Sequence, residues 1–182
     1  TYGTIIISNN VMNDPELASV FSLNNIFNTT TVQHIHHNQI SNTNPNSNNP
    51  NTNNATGIIS TNNTNTNRDY NIIEWNRIQD IGYGIQLTKS DYSKVTDNEI
   101  SLPENDNTFI DYRGINAEVS NNCIIGKNLV HGRFVPEFIT AGTGIHVSNS
   151  SRVWEICNVV DNLFNGLLWE SNSFGAILFA NS

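Results

Sequence analysis

The chain is 182 residues and 20.3 kDa, long enough for one domain with its own core. Eight Lys and Arg against sixteen Asp and Glu leave a net charge of −8, which gives phosphate-backbone binding no support and excludes nucleic acid as a partner. No run of about 18 apolar residues is present, which excludes a membrane-spanning helix, and two cysteines, Cys123 and Cys157, are too few for a disulfide framework and read as small core residues.

In chain order, Gly3-Thr-Ile-Ile-Ile-Ser-Asn-Asn predicts a strand ended by a turn. Asn13-Asp-Pro15-Glu-Leu-Ala-Ser-Val-Phe21 predicts a short helix, with a capping Asn or Asp and Pro in the first turn. A repeat follows. Aligned on Asn it reads Asn38-Gln-Ile40, Asn76-Arg-Ile78, Asn98-Glu-Ile100, Asn128-Leu-Val130 and Asn158-Val-Val160. Three residues before each Asn stand Ile35, Ile73, Val95, Ile125 and, out of pattern, Glu155. Aligned on Gly it reads Gly57-Ile-Ile, Gly84-Ile-Gln-Leu, Gly114-Ile-Asn-Ala, Gly144-Ile-His-Val and Gly166-Leu-Leu-Trp, with Asn25-Ile-Phe27 in the place of the Gly in the earliest copy. The Gly-to-Asn interval is 14 in three copies (98−84, 128−114 and 158−144). A fixed interval with variable length outside it marks a structural repeat.

Within each copy apolar and polar residues alternate, the pattern of short strands with one buried face. Each unit holds three of them: a first after Gly, a second before Asn and a third after Asn. Units of 22 to 30 residues (98−76 and 128−98) cannot bury an apolar face alone and stack into a solenoid. Stacking about 4.8 Å apart makes Asn76, Asn98, Asn128 and Asn158 an amide ladder at one turn. About one residue in five is Asn, which suits such turns because Asn tolerates left-handed backbone. The insertions 41–56, 79–83, 102–113, 131–143 and 161–165 all fall between a third strand and the next Gly, so the long loops gather at one corner. The exception is 61–69, which follows a first strand; it and 41–56 are Asn/Thr-rich loops.

The motif G-I-x-aliphatic followed by Asn-x-aliphatic, over roughly residues 24–182, resembles the right-handed parallel β-helix repeat proteins of the pectin-lyase-like superfamily. The resemblance implies an all-β, right-handed parallel β-helix of about six to seven three-strand rungs; the length suits a single domain over 1–182, and a start without Met or signal segment suggests a fragment or mature part of a longer protein. Superfamily members include polysaccharide lyases, glycoside hydrolases, phage tailspikes and adhesins. It implies an extracellular, cell-surface or virion-surface setting and a polysaccharide groove along the first sheet.

Period two then nominates the groove residues. Two after Gly stand Gln86, Asn116, His146 and Leu168; four after Gly stand Thr88, Glu118, Ser148 and Glu170. The adjoining loops add Asp111, Arg113, His131 and Arg133 as polar contacts and Tyr112 and Phe134 for stacking on sugar rings. Glu118 and Glu170, two rungs and about 9.6 Å apart, suit the carboxylate pair of a glycosidase. A lyase instead needs a base and a cation, which His146 with Arg113 or Arg133 would supply. Against both stands a solvated sheet face without chemistry.

Three features stand outside the groove. His34-Ile-His36 places two imidazoles on one face beside Glu74 of the next rung, a candidate transition-metal set of His34, His36 and Glu74 whose plain alternative is a surface histidine pair. Glu155 in an aliphatic column implies a one-residue slip that turns Ile156 or Trp154 inward, or else a buried acid. Trp169 falls in the inward column and Trp75 just before a turn. Gly175-Ala-Ile-Leu-Phe179-Ala leaves an open last rung that an end-on neighbour or oligomer would cover. The expected function is an extracellular β-helix domain that binds polysaccharide, with cleavage left open; the alternative is the non-catalytic shaft of a tailspike, fibre or adhesin.

Overall fold

Short apolar-polar segments joined by tight turns leave such a chain one way to hide its apolar side, which is to lay each coil on the one before. The computed structural model describes residues 3–13, 22–24, 31–42, 55–61, 71–103, 112–132, 140–161, 163–170 and 177–179, and it is an all-β parallel solenoid. Among these residues no helix occurs, so none is long and apolar enough to cross a membrane.

Three parallel sheets run along the solenoid. The first, from strands after Gly, contains β3 (Ser22–Asn24), β6 (Thr56–Thr61), β9 (Tyr83–Thr88), β12 (Tyr112–Glu118), β15 (Thr140–Ser148) and β18 (Leu163–Glu170). The second, from strands before Asn, contains β1 (Gly3–Ser8), β4 (Thr31–His36), β7 (Asn71–Glu74), β10 (Ser93–Thr96), β13 (Ile124–Gly126), β16 (Trp154–Ile156) and β19 (Ile177–Phe179). The third contains β2 (Val11–Asn13), β5 (Gln39–Ser41), β8 (Arg77–Gln79), β11 (Glu99–Leu102), β14 (Leu129–Gly132) and β17 (Val159–Asp161).

The core is three aliphatic columns in strict register. The second sheet stacks Ile7, Ile35, Ile73, Val95 and Ile125; the third stacks Met12, Ile40, Ile78, Ile100, Val130 and Val160. The first stacks Ile58, Ile85, Ile115, Ile145 and Leu167. Each fully buried Ile is worth about 1.5–3 kcal/mol, so the columns carry the stability.

The turns follow from the same residues. Asn9, His37, Trp75, Asp97, Lys127 and Cys157 take left-handed backbone, φ 54–58°, and each directly precedes a ladder Asn. The side-chain amide of Asn10 donates to Asn38 Oδ1, Asn38 to Asn76, Asn76 to Asn98, Asn98 to Asn128 and Asn128 to Asn158, all at 2.9–3.0 Å. Each of those Oδ1 atoms also accepts the backbone N–H of the Asn before it, so one side chain closes a turn and couples two rungs. The predicted ladder thus extends two rungs further, through Asn38 to Asn10.

Gly is required where the chain enters the first sheet. A Cβ on Gly84 would stand 2.6 Å from Ile100 Cγ2, and one on Gly114 would stand 2.6 Å from Gly144 O and overlap the Val130 side chain. The long insertions join the third sheet to the first, as predicted, with narrower limits: β11 runs to Leu102 and β12 begins at Tyr112, while β14 runs to Gly132 and β15 begins at Thr140.

Several expectations change. The repeat begins at Gly3, because β1 pairs with β4 and Asn10 joins the ladder. Ser22–Asn24, not Asn25–Phe27, pairs with Ile59–Thr61; residues 25–27 lie outside the described residues. Asn13 is in β2, and the rest of the expected helix likewise lies outside them. Cys123 is buried as expected, but Cys157 is exposed, because it occupies the left-handed corner itself. No slip occurs at Glu155, which stands in register between Ile125 and Leu178 and is 0% exposed.

Candidate functional site on the first sheet

Once Gly fixes the entry to each first strand, alternation decides what faces outward. The register confirms both nominated columns: Gln86, Asn116, His146 and Leu168 in one, and Thr88, Glu118, Ser148 and Glu170 in the other. A third polar column stands one residue before each Gly: Tyr83, Arg113, Thr143 and Asn165. Sequence reasoning treated Arg113 as a loop residue and missed Tyr83, Thr143 and Asn165, although a constant offset of −1 from Gly would have found them.

Three rungs bring four of these side chains together. His146 Nδ1 lies 2.6 Å from Asn116 Oδ1 and 2.8 Å from Arg113 Nη1, and Arg113 Nη1 donates to Asn116 Oδ1 at 3.1 Å. On the other side of the ring, Nε2 lies 3.1 Å from Glu170 Oε2. The His146 side chain is 3% exposed and that of Glu170 51%. The imidazole is therefore an internal link, and Glu170 is what the network presents to solvent.

The donor inventory constrains the protons. Arg113 donates in every accessible state and a Glu170 carboxylate only accepts. If Nδ1 carries a lone pair it accepts from Arg113; if the ring is an imidazolium, Nδ1–H donates to Asn116 Oδ1. Neither arrangement satisfies all three contacts among Nη1, Oδ1 and Nδ1 together. Both place a proton on Nε2 and direct it to Glu170, which orients that carboxylate at the edge of the network.

The remaining nominees divide. Glu118 is half-buried on β12, two rungs from Glu170 in the same column, with Ser148 between them. Gln86 donates to Thr88 Oγ1 at 3.4 Å. Tyr112, nominated for sugar stacking, is 1% exposed and belongs to the core, because two residues before Gly the chain faces inward. His131 is on β14 of the third sheet, in register between Ser101 and Asp161. Asp111, Arg133 and Phe134 lie outside the described residues.

The histidine cluster is arranged differently from the expected metal set. His36 is in register with Glu74, yet the carboxylate bonds His34, Nε2 to Oε1 at 2.9 Å. His36 Nδ1 instead faces His37 Nδ1 at 2.8 Å. Burial and the neighbouring His34 and His37 lower the His36 pKa, with Glu74 opposing. Among the described residues no group of three or more His, Cys, Asp or Glu is placed to hold a metal. Trp75 is 54% exposed at its turn, and Trp169 packs against the core in the Leu87, Ala117 and Val147 column, as expected.

A second ladder escaped the sequence reading. Ser120 Oγ accepts the backbone N–H of Ser90 at 3.0 Å and Ser150 Oγ that of Ser120 at 2.9 Å, at the turn after each first strand. The signal was a Ser six residues after Gly84, Gly114 and Gly144. This ladder holds the far end of the strands that carry Asn116 and His146.

Compared with protein-family models, curated proteins and solved structures, the chain matches none.

Proposed function

We propose that the outward face of the first sheet binds polysaccharide, and that Glu170, oriented by His146, is its central contact. The observation that carries this reading is the four-residue network on that face. The solenoid does not need it: turns are closed by the Asn and Ser ladders and the core by aliphatic columns. Linked polar side chains that present one oriented carboxylate suit a ligand rich in hydroxyl donors.

The same face supports hydrolysis as its chemistry. Glu118 and Glu170 share a column two rungs apart, about 9.6 Å at the strand level, near the range of about 6.5–9.5 Å found for carboxyl pairs of inverting glycosidases. Glu170 would act as one member, with His146 positioning it, and Glu118 as the other. The setting that goes with this reading is extracellular, at a cell or virion surface.

The test is a screen of neutral and acidic polysaccharides for binding, reducing ends and unsaturated products together. Binding lost in Glu170→Gln, with reducing ends formed by the native chain alone, supports hydrolysis; binding without product supports a binding domain. Absence of binding to every polymer refutes the proposal. A structural shaft is the second reading, favoured by Ile5, Ile6 and Val11, which are exposed on the edge strands β1 and β2 and suit an end-on neighbour.

A further inference from the structure

Around the corner where β4 turns into β5 stand three histidines, with an exposed indole at the same corner of the next rung, that the first-sheet site does not use. Two of the histidines are already committed to each other. We propose that His36 and His37 chelate a divalent transition ion of square-planar preference, Cu2+ above all, with their two Nδ1 atoms as adjacent ligands in its coordination plane.

The local backbone brings the pair together. His36 ends β4, and His37 takes left-handed backbone, φ 54°, which swings its ring back across its neighbour. The two rings stand edge to face at 87° with centroids 5.1 Å apart, and their Nδ1 atoms are 2.8 Å apart. Two adjacent ligands at right angles, each about 2.0 Å from a metal, are separated by about 2.8 Å, whereas a tetrahedral pair needs about 3.3 Å. That separation is also the length of the N–H···N hydrogen bond joining the rings, so an ion would replace the shared proton, and a right-angled pair asks for the smaller movement of the two rings. Imidazole nitrogen suits Cu2+, which also heads the affinity order of the divalent series.

His34 is held out of the set by its bond to Glu74, although its ring lies 4.3 Å from that of His36. With no third His, Cys, Asp or Glu converging among the described residues, water completes the coordination. Trp75, at the equivalent corner of the next rung, stacks on His37 at 6.4 Å and 20°. An ion held there would lie beside a fluorophore.

The experiment uses the full chain, purified without a polyhistidine tag and stripped with a chelator, titrated with CuSO4. Tryptophan fluorescence and the visible d–d absorption of Cu2+ are read together. Both saturate at a single equivalent. Trp75→Phe removes most of the quenching and keeps the absorption. His37→Asn preserves the fold, since Asn9 occupies the same left-handed corner one rung earlier, and weakens binding about tenfold or more. Glu74→Gln leaves binding unchanged. Unaltered affinity in His37→Asn, loss in Glu74→Gln, equal affinity for Zn2+, or no saturable binding would each overturn the proposal.

Discussion

Glu155 stands directly against Ile125 in the inward column of the second sheet, at the one level where an aliphatic stack of five residues meets a carboxyl. Burial pushes its pKa up to about 7, with the neighbouring Trp169 indole opposing the rise. The folded chain therefore holds the proton that the unfolded chain releases near its ordinary value of 4.5. Its contribution to stability is fully present below that value, is lost as pH rises, and levels off above about 7, a loss of about 3 kcal/mol. Glu155→Gln removes the dependence. Unfolding free energies from urea denaturation that coincide at pH 4 and favour the variant by about 2–3 kcal/mol at pH 8 are expected; parallel pH profiles would show that the carboxyl is not in this environment.

Asn98 links three rungs, accepting from the backbone and side-chain nitrogens of Asn76, each at 3.0 Å, and donating to Asn128 at 3.0 Å. Asn98→Ala leaves the Asn76 backbone N–H buried without its acceptor and lowers unfolding stability by about 2–3 kcal/mol. Lys127→Ala, at the exposed residue before the next ladder Asn, serves as a comparison that touches no ladder bond and loses less. Equilibrium denaturation reads both.

Two positions of the Gly column, Gly114 in its middle and Gly166 at its last rung, should behave oppositely. Gly114→Ala forces a methyl against Gly144 O and Val130 and costs about 1–3 kcal/mol or more. Gly166→Ala, with nothing among the described residues within 4 Å of the added carbon, stays within about 0.5 kcal/mol of the parent. Thermal midpoints of the pair measured side by side suffice. A large loss in both would mean that Gly serves backbone conformation and not the packing of one rung on the next.

The thiols provide an inexpensive check of rung placement. Cys157 is exposed at a left-handed corner, whereas Cys123 is buried and its pKa is pushed up to about 12 by that burial. A thiol reagent should label Cys157 alone in the folded chain and both after denaturation.

The architecture was legible because Gly and Asn each recur for a local reason, lack of room for a Cβ in one case and a side-chain acceptor for the next rung in the other. Where those markers were missing, reading failed. The first rung has Asn10 and Ile7 but no Gly at the fixed interval of 14 before its Asn, and it was taken for a strand ended by a turn. The slip proposed at Glu155 would have turned every side chain of β16 over; the Asn128 to Asn158 bond and the Ile124 to Trp154 pairing hold the register instead. Period two placed Asn116, His146 and Glu170 on one face, but not the bonds among them. Those depend on side-chain torsions and on residues 24 to 33 positions apart in the chain, and Tyr112 was misplaced because alternation is broken at Gly.

The central claim is that recognition belongs to the first sheet. The most direct measurement is the affinity for the best-binding oligosaccharide of three single variants, one per sheet: Glu170→Gln on the first, Lys94→Ala on the second and Arg77→Ala on the third. Loss confined to Glu170→Gln is the predicted result. Equal affinity in all three, or loss in Lys94→Ala or Arg77→Ala alone, would contradict it.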